Sequence, residues 1–317
     1  MSNRYGITVP FDGVTLPEHR DWFHRLADLG YTDVWSAEVD GADGFTPLAL
    51  AAAVEARLNL GVAVTPVFTR GAGLLAMSVA AMAELAQGRF TMGLGASSQP
   101  VVERWNGLAY EKPYARTRDV LRFMQRALAG EKIDEVFETF EVHGFKLSRP
   151  VVERPKILLG ALRPAMLRLA GREADGAILN WLSVDDVATC RREIGEGKTI
   201  AARLFVVVTP DPDTARMVGR RMISSYLTVS GYAEFHRWLG RADALTPMWE
   251  AWARGERKLA NELIPDEVVD DLIIHGSYEA CREHVERYVE AGIEVPTIAL
   301  VPLGVSLLDA VQGLAPR

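Results

Sequence analysis

Short runs of apolar residues alternate along the chain with segments in which apolar residues recur every three or four positions. A run that is apolar at every position is typical of a parallel strand buried on both faces, whereas the three-to-four spacing is typical of an amphipathic helix. The segment 75–85, with Leu75, Val79, Met82 and Leu85, shows the helical spacing. Eight apolar runs are predicted to be strands: Tyr5–Val9, Asp33–Ala37, Asn59–Val64, Phe90–Gly95, Lys156–Gly160, Gly176–Asn180, Arg203–Val208 and Pro296–Val301.

Eight strands separated by helices predict the α/β class and, within it, a closed (β/α)8 TIM barrel. A doubly wound parallel sheet is the alternative, although it would usually place a glycine fingerprint early in the chain. Because barrels of this size are commonly one domain, residues 1–317 are predicted to form a single domain. The active site is then expected in the loops that follow the strands.

The segment 211–275, which follows the seventh predicted strand, is longer than a minimal barrel requires and is predicted to be a helical insertion. It leaves the barrel at the carboxyl end of a strand and is rich in aromatic residues, so it is expected to cover the barrel mouth. Trp238, Trp249 and Trp252 are candidate substrate contacts, or else they pack the insertion's own core.

The net charge and the lengths of the apolar runs limit the classes of partner that this protein is expected to bind. A formal net charge of −7 argues against a nucleic-acid partner, which would need a basic surface. No apolar run is long enough for a membrane span, and the first residues lack the apolar core of a signal peptide. We therefore expect a cytoplasmic protein that acts on a small-molecule substrate, with neither a nucleic acid nor a membrane as partner.

Cysteine and histidine positions give no sign of a metal. Cys190 and Cys281 each fall in an apolar helical stripe and are predicted to be buried thiols. The six histidines show none of the spacings that bind metal ions, so no metal site is expected.

A Gly-x-Gly turn follows the fourth predicted strand, where Gly93, Leu94 and Gly95 lead into Ala96, Ser97 and Ser98. Glycines in such a turn allow the backbone to approach a flat ligand, and the turn can expose N–H groups to it. The motif is not a dinucleotide fingerprint, because Ser98 stands where the third glycine would be. A tight strand-to-helix turn without a ligand is the other interpretation.

Polar residues after other strands are further candidates. Glu38 directly follows the second strand and is the best candidate for a general acid or base, provided that burial tunes its pKa. Thr65 and Arg70, after the third strand, are suited to a hydrogen bond and to an anion. After the fifth and sixth strands, small residues and a predicted helix start favour a phosphate site, with these candidates: Gly160, Ala161, Leu162, Arg163, Asn180 and Ser183.

These segments together resemble the bacterial luciferase-like monooxygenase family, and most closely its branch of oxidoreductases that depend on the deazaflavin coenzyme F420. The resemblance covers nearly the whole chain in order. The matching segments are Phe45–Leu50, Gly61–Arg70, Gly88–Ser98, Leu159–Gly171 and Asp175–Trp181.

The resemblance implies that a deazaflavin lies across the mouth of an eight-stranded barrel, with its ring against the third strand and its phosphate near the loops after strands five and six. It implies a non-prolyl cis peptide near Val64 and Thr65, and a homodimer. The chain departs from the branch at three positions. Glu38 stands where relatives have a histidine, Ser98 where they have a glutamate, and Ser183 where they have a phosphate-binding lysine.

Three functions are therefore considered. The first is an F420-dependent oxidoreductase that transfers a hydride between the deazaflavin and an organic substrate. The second is an FMN-dependent monooxygenase that uses reduced flavin and oxygen. The third is a barrel that binds a ligand without catalysis, an alternative motivated by Ser98 and Ser183. The predicted cofactor-binding residues are Val64, Thr65, Gly95, Ala96, Ser97, Ser98, Gly160, Ala161, Leu162, Arg163, Asn180 and Ser183, with Glu38 as the predicted catalytic residue.

Overall fold

Eight parallel strands close into a barrel in the computed structural model, which describes residues 4–209 and 211–316. Each strand pairs with its neighbours in chain order, and the last pairs with the first, so the predicted (β/α)8 barrel is confirmed. The barrel strands are β1 (Gly6–Thr8), β2 (Asp33–Ser36), β3 (Asn59–Val62), β5 (Phe90–Gly95), β8 (Lys156–Gly160), β9 (Gly176–Asn180), β10 (Thr199–Val208) and β12 (Val295–Pro302).

Four further strands in the described part of the chain are not among these eight. Strand β4 (Thr65–Pro66) continues β3 after an interruption and pairs with β5. Strands β6 (Ile133–Val136) and β7 (Glu141–Phe145) form an antiparallel hairpin, and β11 (Ile273–Gly276) adds to the upper half of β10.

Helices follow the strands and pack around the barrel. Those before the insertion are α1 (His19–Asp28), α2 (Thr46–Val54), α3 (Ala72–Leu85), a π-helical turn (Pro100–Trp105), α4 (Pro113–Leu128), α5 (Pro164–Glu173) and α6 (Asp186–Ile194). The others are α7 (Pro212–Leu227), α8 (Ser230–Trp238), α9 (Ala242–Ala253), α10 (Arg257–Glu262), α11 (Asp266–Leu272), α12 (Tyr278–Glu290) and α13 (Leu307–Gly313).

The barrel interior is filled by one large indole. Trp35 is buried together with Leu158, Ile178, Ala201 and Val295 from the surrounding strands. Gly61 faces this ring so closely that an added Cβ would lie 2.4 Å from the indole. The interior is therefore a packed core, as expected for a barrel of this size, and ligand space is left only towards the mouth.

The helical insertion packs against the carboxyl ends of the strands. Alternate residues of a strand share one face, so Ala201, Arg203, Phe205 and Val207 all point into the barrel. Ala201 joins the interior core, whereas Phe205 and Val207 pack into a second cluster formed mainly by the insertion. The insertion therefore lies over the mouth on the side of β10, which is the face that the sequence predicts.

Its tryptophans contact other residues of the insertion. The Trp249 indole N–H donates to the Leu227 carbonyl oxygen at 2.8 Å. The centroid of the Trp252 ring lies 3.6 Å from the Arg257 guanidinium carbon, and Trp238 stacks on Phe235. Of the two interpretations, packing within the insertion is the one these contacts support.

Both cysteines are buried, as the sequence predicts, and burial raises the pKa of the Cys190 thiol to about 12 and that of Cys281 to about 11. Among residues 4–209 and 211–316, no helix combines the length and apolar character needed to cross a membrane. No group of three or more His, Cys, Asp or Glu side chains in this part of the chain is arranged to hold a metal ion.

Candidate active site

A bulge between β3 and β4 forms one wall of the barrel mouth. The peptide bond between Ala63 and Val64 is cis, at the position that the family resemblance implies. The Val64 side chain lies over two glycines of the neighbouring strands. A Cβ added at Gly95 would lie 2.4 Å from the Val64 Cγ2 atom, and one added at Gly160 would lie 3.1 Å from Cγ1.

This contact changes the interpretation of the Gly-x-Gly turn. A Cβ at Gly93 would lie 2.0 Å from the Val62 carbonyl oxygen, so this glycine accommodates the backbone of the adjacent strand. Gly95 accommodates the Val64 side chain in the same way. The immediate role of both glycines is therefore to seat the bulge, and direct contact of Gly95 or Gly160 with a cofactor stays a prediction.

The residues after the turn are half-buried and shape the adjacent loop. Ser97 has a left-handed backbone, with φ of 60°, and its carbonyl oxygen accepts a hydrogen bond from the Tyr110 hydroxyl. The Ser98 carbonyl accepts from the Val102 N–H at the start of the π-helical turn. Ala96, Ser97 and Ser98 thus border the mouth, and their side chains remain candidates for cofactor contact.

Thr65, next to the bulge, is fully buried, and its hydroxyl oxygen has no hydrogen-bond partner. An unpartnered buried hydroxyl carries a desolvation cost that a ligand or a water could offset. The position of this hydroxyl next to the bulge fits a group bound at the mouth.

The start of helix α5 lies beside this wall. Arg163 is extended and exposed, and α5 begins at Pro164, so the helix N-terminus is open to solvent. Burial raises the pKa of the Tyr110 phenol, and the positive charge of Arg163 acts in the opposite direction, which places the two side chains near each other. Ala161 is buried and its N–H donates to the Ile178 carbonyl, whereas Leu162 is half-buried.

Glu38 is largely buried and paired with Arg70. The Arg70 Nη2 atom lies 2.6 Å from the Glu38 Oε1 atom, which also accepts the Gly44 N–H at 3.0 Å. The other carboxylate oxygen, Oε2, has one long contact of 3.5 Å, with Arg70 Nε. Arg70 is thus already paired with a carboxylate of the protein, and the Asp43 Oδ1 atom lies 3.6 Å from its Nη2 atom, so the binding of a ligand anion by Arg70 stays a prediction.

Asn180 and Ser183 lie where the insertion meets the barrel. The Asn180 amide donates to the Tyr232 hydroxyl at 3.2 Å, while its Oδ1 atom is buried without a partner. The Ser183 hydroxyl is buried and held between the Asp186 carboxylate and the Arg241 guanidinium, at 2.9 and 2.8 Å. Because the Ser183 hydroxyl already bonds both neighbours, the solvent-open start of α5 fits a phosphate better than Ser183 does. Phosphate binding by Ser183 stays a prediction.

Several polar residues near the mouth were not predicted from the sequence. They lie within strands or in the insertion, whereas the predicted site residues follow the ends of strands. The Arg203 Nε atom is buried without a hydrogen-bond partner, as are polar side-chain atoms of Thr8, Trp35 and Thr297. The sequence signal that points to Arg203 is a single arginine within the apolar run of β10.

His236 in the insertion is also buried. Burial is the larger cause that lowers the pKa of His236 to about 3, and the positive charge of the nearby Arg241 acts in the same direction, so the imidazole stays neutral.

With this geometry in place, comparison with known proteins identifies the class. The model of the luciferase-like monooxygenase family matches residues 4–294, and the chain belongs to that family. A relative from Mycobacterium tuberculosis, whose name assigns it to the coenzyme F420-dependent oxidoreductases, is 26% identical across 93% of this chain and 94% of its own. The protein is accordingly an oxidoreductase of this family.

Two solved structures show how the fold is shared. The coenzyme F420-dependent tetrahydromethanopterin reductase of Methanopyrus kandleri superposes with a TM-score of 0.80 at 18% identity, covering 99% of this chain and 98% of its own. The FMN-bound oxygenating constituent of 3,6-diketocamphane monooxygenase from Pseudomonas putida superposes with a TM-score of 0.63 at 15% identity, covering 99% and 97%.

Proposed function

We propose that this protein is an F420-dependent oxidoreductase that transfers a hydride between the deazaflavin and a small organic substrate. The observation that carries the proposal is the bulge at Ala63–Val64. It seats Val64 over Gly95 and Gly160 and leaves the Thr65 hydroxyl buried and unpartnered at the barrel mouth. The full-length similarity to a relative named as F420-dependent supports the choice of cofactor.

The residues present fit such a cofactor. Val64 and Thr65 would contact the ring from the bulge, and Ala96, Ser97 and Ser98 would line the adjacent edge. The helix α5 start with Arg163 would bind the phosphate, because backbone N–H groups and the helix dipole favour an anion there. The bound deazaflavin would supply the hydride chemistry, while the protein orients it and excludes water.

Glu38 is the proposed proton-transfer residue. Its Oε1 atom is held by Arg70 and Gly44, which fixes the carboxylate, whereas Oε2 is nearly free of donors. A carboxylate fixed at one oxygen and available at the other can exchange a proton with a substrate oxygen within hydrogen-bond reach.

A flavin-dependent monooxygenase is the second candidate function, favoured by the shared fold of the FMN-bound Pseudomonas putida protein. A direct comparison of cofactor affinity separates the two. We expect purified protein to bind F420 at least about tenfold more tightly than FMN, a difference of about 1.4 kcal/mol in binding free energy. Fluorescence titration with each purified cofactor measures this, and tighter binding of FMN would favour the monooxygenase instead.

A homodimer that buries helices α2 and α3 is also part of the proposal. Helix α2 has no charged residue and α3 has one, and helices that are apolar on all sides are typical of buried positions. Leu74, Met77 and Leu85 on α3 are nevertheless about half exposed in the single chain. A second copy of the chain would cover this face.

Met77→Asp is therefore expected to shift the protein from dimer to monomer, because a carboxylate in an apolar interface loses its hydration. Sedimentation velocity at micromolar concentration measures the change. Met217→Asp is the matched control, since Met217 on α7 is equally exposed but lies on the insertion. A wild-type monomer, or a Met77→Asp dimer, would contradict this interface.

A further inference from the structure

Arg203 has an unusual position for a positive charge. It lies in the middle of β10, in register with Asn180 on β9 and Thr297 on β12, and it points into the barrel between Ala201 below and Phe205 above. Its guanidinium carbon lies 5.0 Å from the centroid of the Phe205 ring. The charge is thus held at the level where the packed interior ends and the insertion begins.

No residue that the structure describes neutralises this charge. Within residues 4–209 and 211–316, the Arg203 side chain makes no ion pair and no hydrogen bond, and its Nε atom is buried. By contrast, Arg70, which also lies at the mouth, is paired with Glu38 at 2.6 Å. A partly buried cation without a partner is costly, and a bound anion would offset that cost.

The surroundings of Arg203 present further unused polar atoms. The Thr8 and Thr297 hydroxyls and the Asn180 Oδ1 atom are buried without partners. Thr8, Thr297 and Arg203 line one small cavity together with Ala63, the residue that precedes Val64 in the bulge. The Tyr232 hydroxyl, bonded to Asn180, belongs to the same side of the mouth. These polar atoms lie under the insertion and close to the proposed cofactor ring site.

We propose that Arg203 binds a carboxylate of the substrate, so that the oxidoreductase acts on small organic acids. The inference rests on the proposed function and specifies its substrate class. A guanidinium pairs with a carboxylate through two parallel N–H donors, and stacking on an aromatic ring leaves those in-plane donors available. The substrate is the expected ligand because the proposed cofactor contacts lie on β4, β5 and β8, whereas Arg203 lies on β10 beneath the insertion.

Binding of simple carboxylates tests the inference without a known substrate. The probes are acetate, pyruvate and benzoate, each compared with its neutral amide, titrated into the full-length protein and followed by tryptophan fluorescence. We expect at least one acid to bind about tenfold or more tightly than its amide, as for a charge-assisted hydrogen-bonded pair. Arg203→Met should abolish this preference for the acid. Arg203→Lys keeps the positive charge but lacks the two parallel N–H donors of the guanidinium, so it should retain part of the preference.

Controls separate recognition from folding and from the cofactor. Arg192→Met removes an exposed arginine from the last turn of α6 and should leave the preference unchanged. Arg203→Met should melt no lower than wild type, because it removes an unpaired charge, and should bind F420 within about threefold of wild type.

Three results would overturn the inference: no preference for any acid in the wild type, an unchanged preference in both Arg203 variants, or a loss of F420 affinity in Arg203→Met with carboxylate binding intact. The last result would assign Arg203 to the cofactor. If the wild type binds acids but not F420, the proposed function fails and the carboxylate site stands.

Discussion

Glu38→Gln is expected to lower turnover by about 10²- to 10⁴-fold, the usual contribution of a positioned acid or base. Affinity for F420 should stay within about threefold of wild type, because glutamine keeps the shape of the side chain while it removes the capacity to exchange a proton. The geometry supports this separation, since Arg70 and Gly44 hold Oε1 and leave Oε2 nearly free. Single-turnover oxidation of reduced F420 with an accepted substrate, together with an F420 titration, measures both quantities.

Asp40→Asn provides the matched control, because it makes the same chemical change at an exposed position of the same loop. It should leave turnover unchanged. The melting temperature of Glu38→Gln must also be measured, since the substitution weakens the contact with Arg70. A fall in turnover of less than about threefold, in a folded variant, would show that Glu38 is not the proton-transfer residue.

The fold could be predicted from the sequence because continuously apolar runs and amphipathic helices are local signals. All eight predicted strands are present in the barrel. The hairpin β6–β7 was not predicted, since all but one of its strand residues are exposed or half-buried and its pairing is made outside the barrel. The interruption of the third strand at Ala63 and Val64 was expected only from the family resemblance, because both residues are apolar and continue the strand pattern.

The location of the site was predictable, but the bonding state of its residues was not. Glu38 and Arg70 are separated by 32 positions, and Ser183 and Arg241 by 58, so neither partnership leaves a local trace in the sequence. These partners decide which atoms remain available to a ligand. Arg203 was not among the predicted site residues because these follow the ends of strands, whereas an inward-pointing residue within a long strand reaches the mouth equally well.

The second large effect is expected at the two glycines of β5, which should respond differently to the same substitution. Gly93→Ala should lower the free energy of unfolding by more than about 3 kcal/mol, or prevent folding, because its Cβ would lie 2.0 Å from the Val62 carbonyl oxygen in a strand that cannot move aside. Gly71→Ala is the control, since nothing lies within 4 Å of a Cβ added there. Urea unfolding of the wild type, Gly93→Ala and Gly71→Ala measures the free energy of unfolding of each.

Gly95→Ala should cost less stability, about 1–3 kcal/mol, because its Cβ would meet the end of the Val64 side chain and not backbone. It should also weaken F420 binding by about tenfold or more if Val64 shapes the ring site, since a displaced Val64 moves that wall of the mouth. Adding Val64→Ala removes the colliding atoms, so the double variant should regain most of the stability lost in Gly95→Ala. Purely additive effects of the two substitutions on stability would show that Gly95 does not act by accommodating Val64. Unchanged F420 affinity in Gly95→Ala would show that the bulge is not part of the cofactor site.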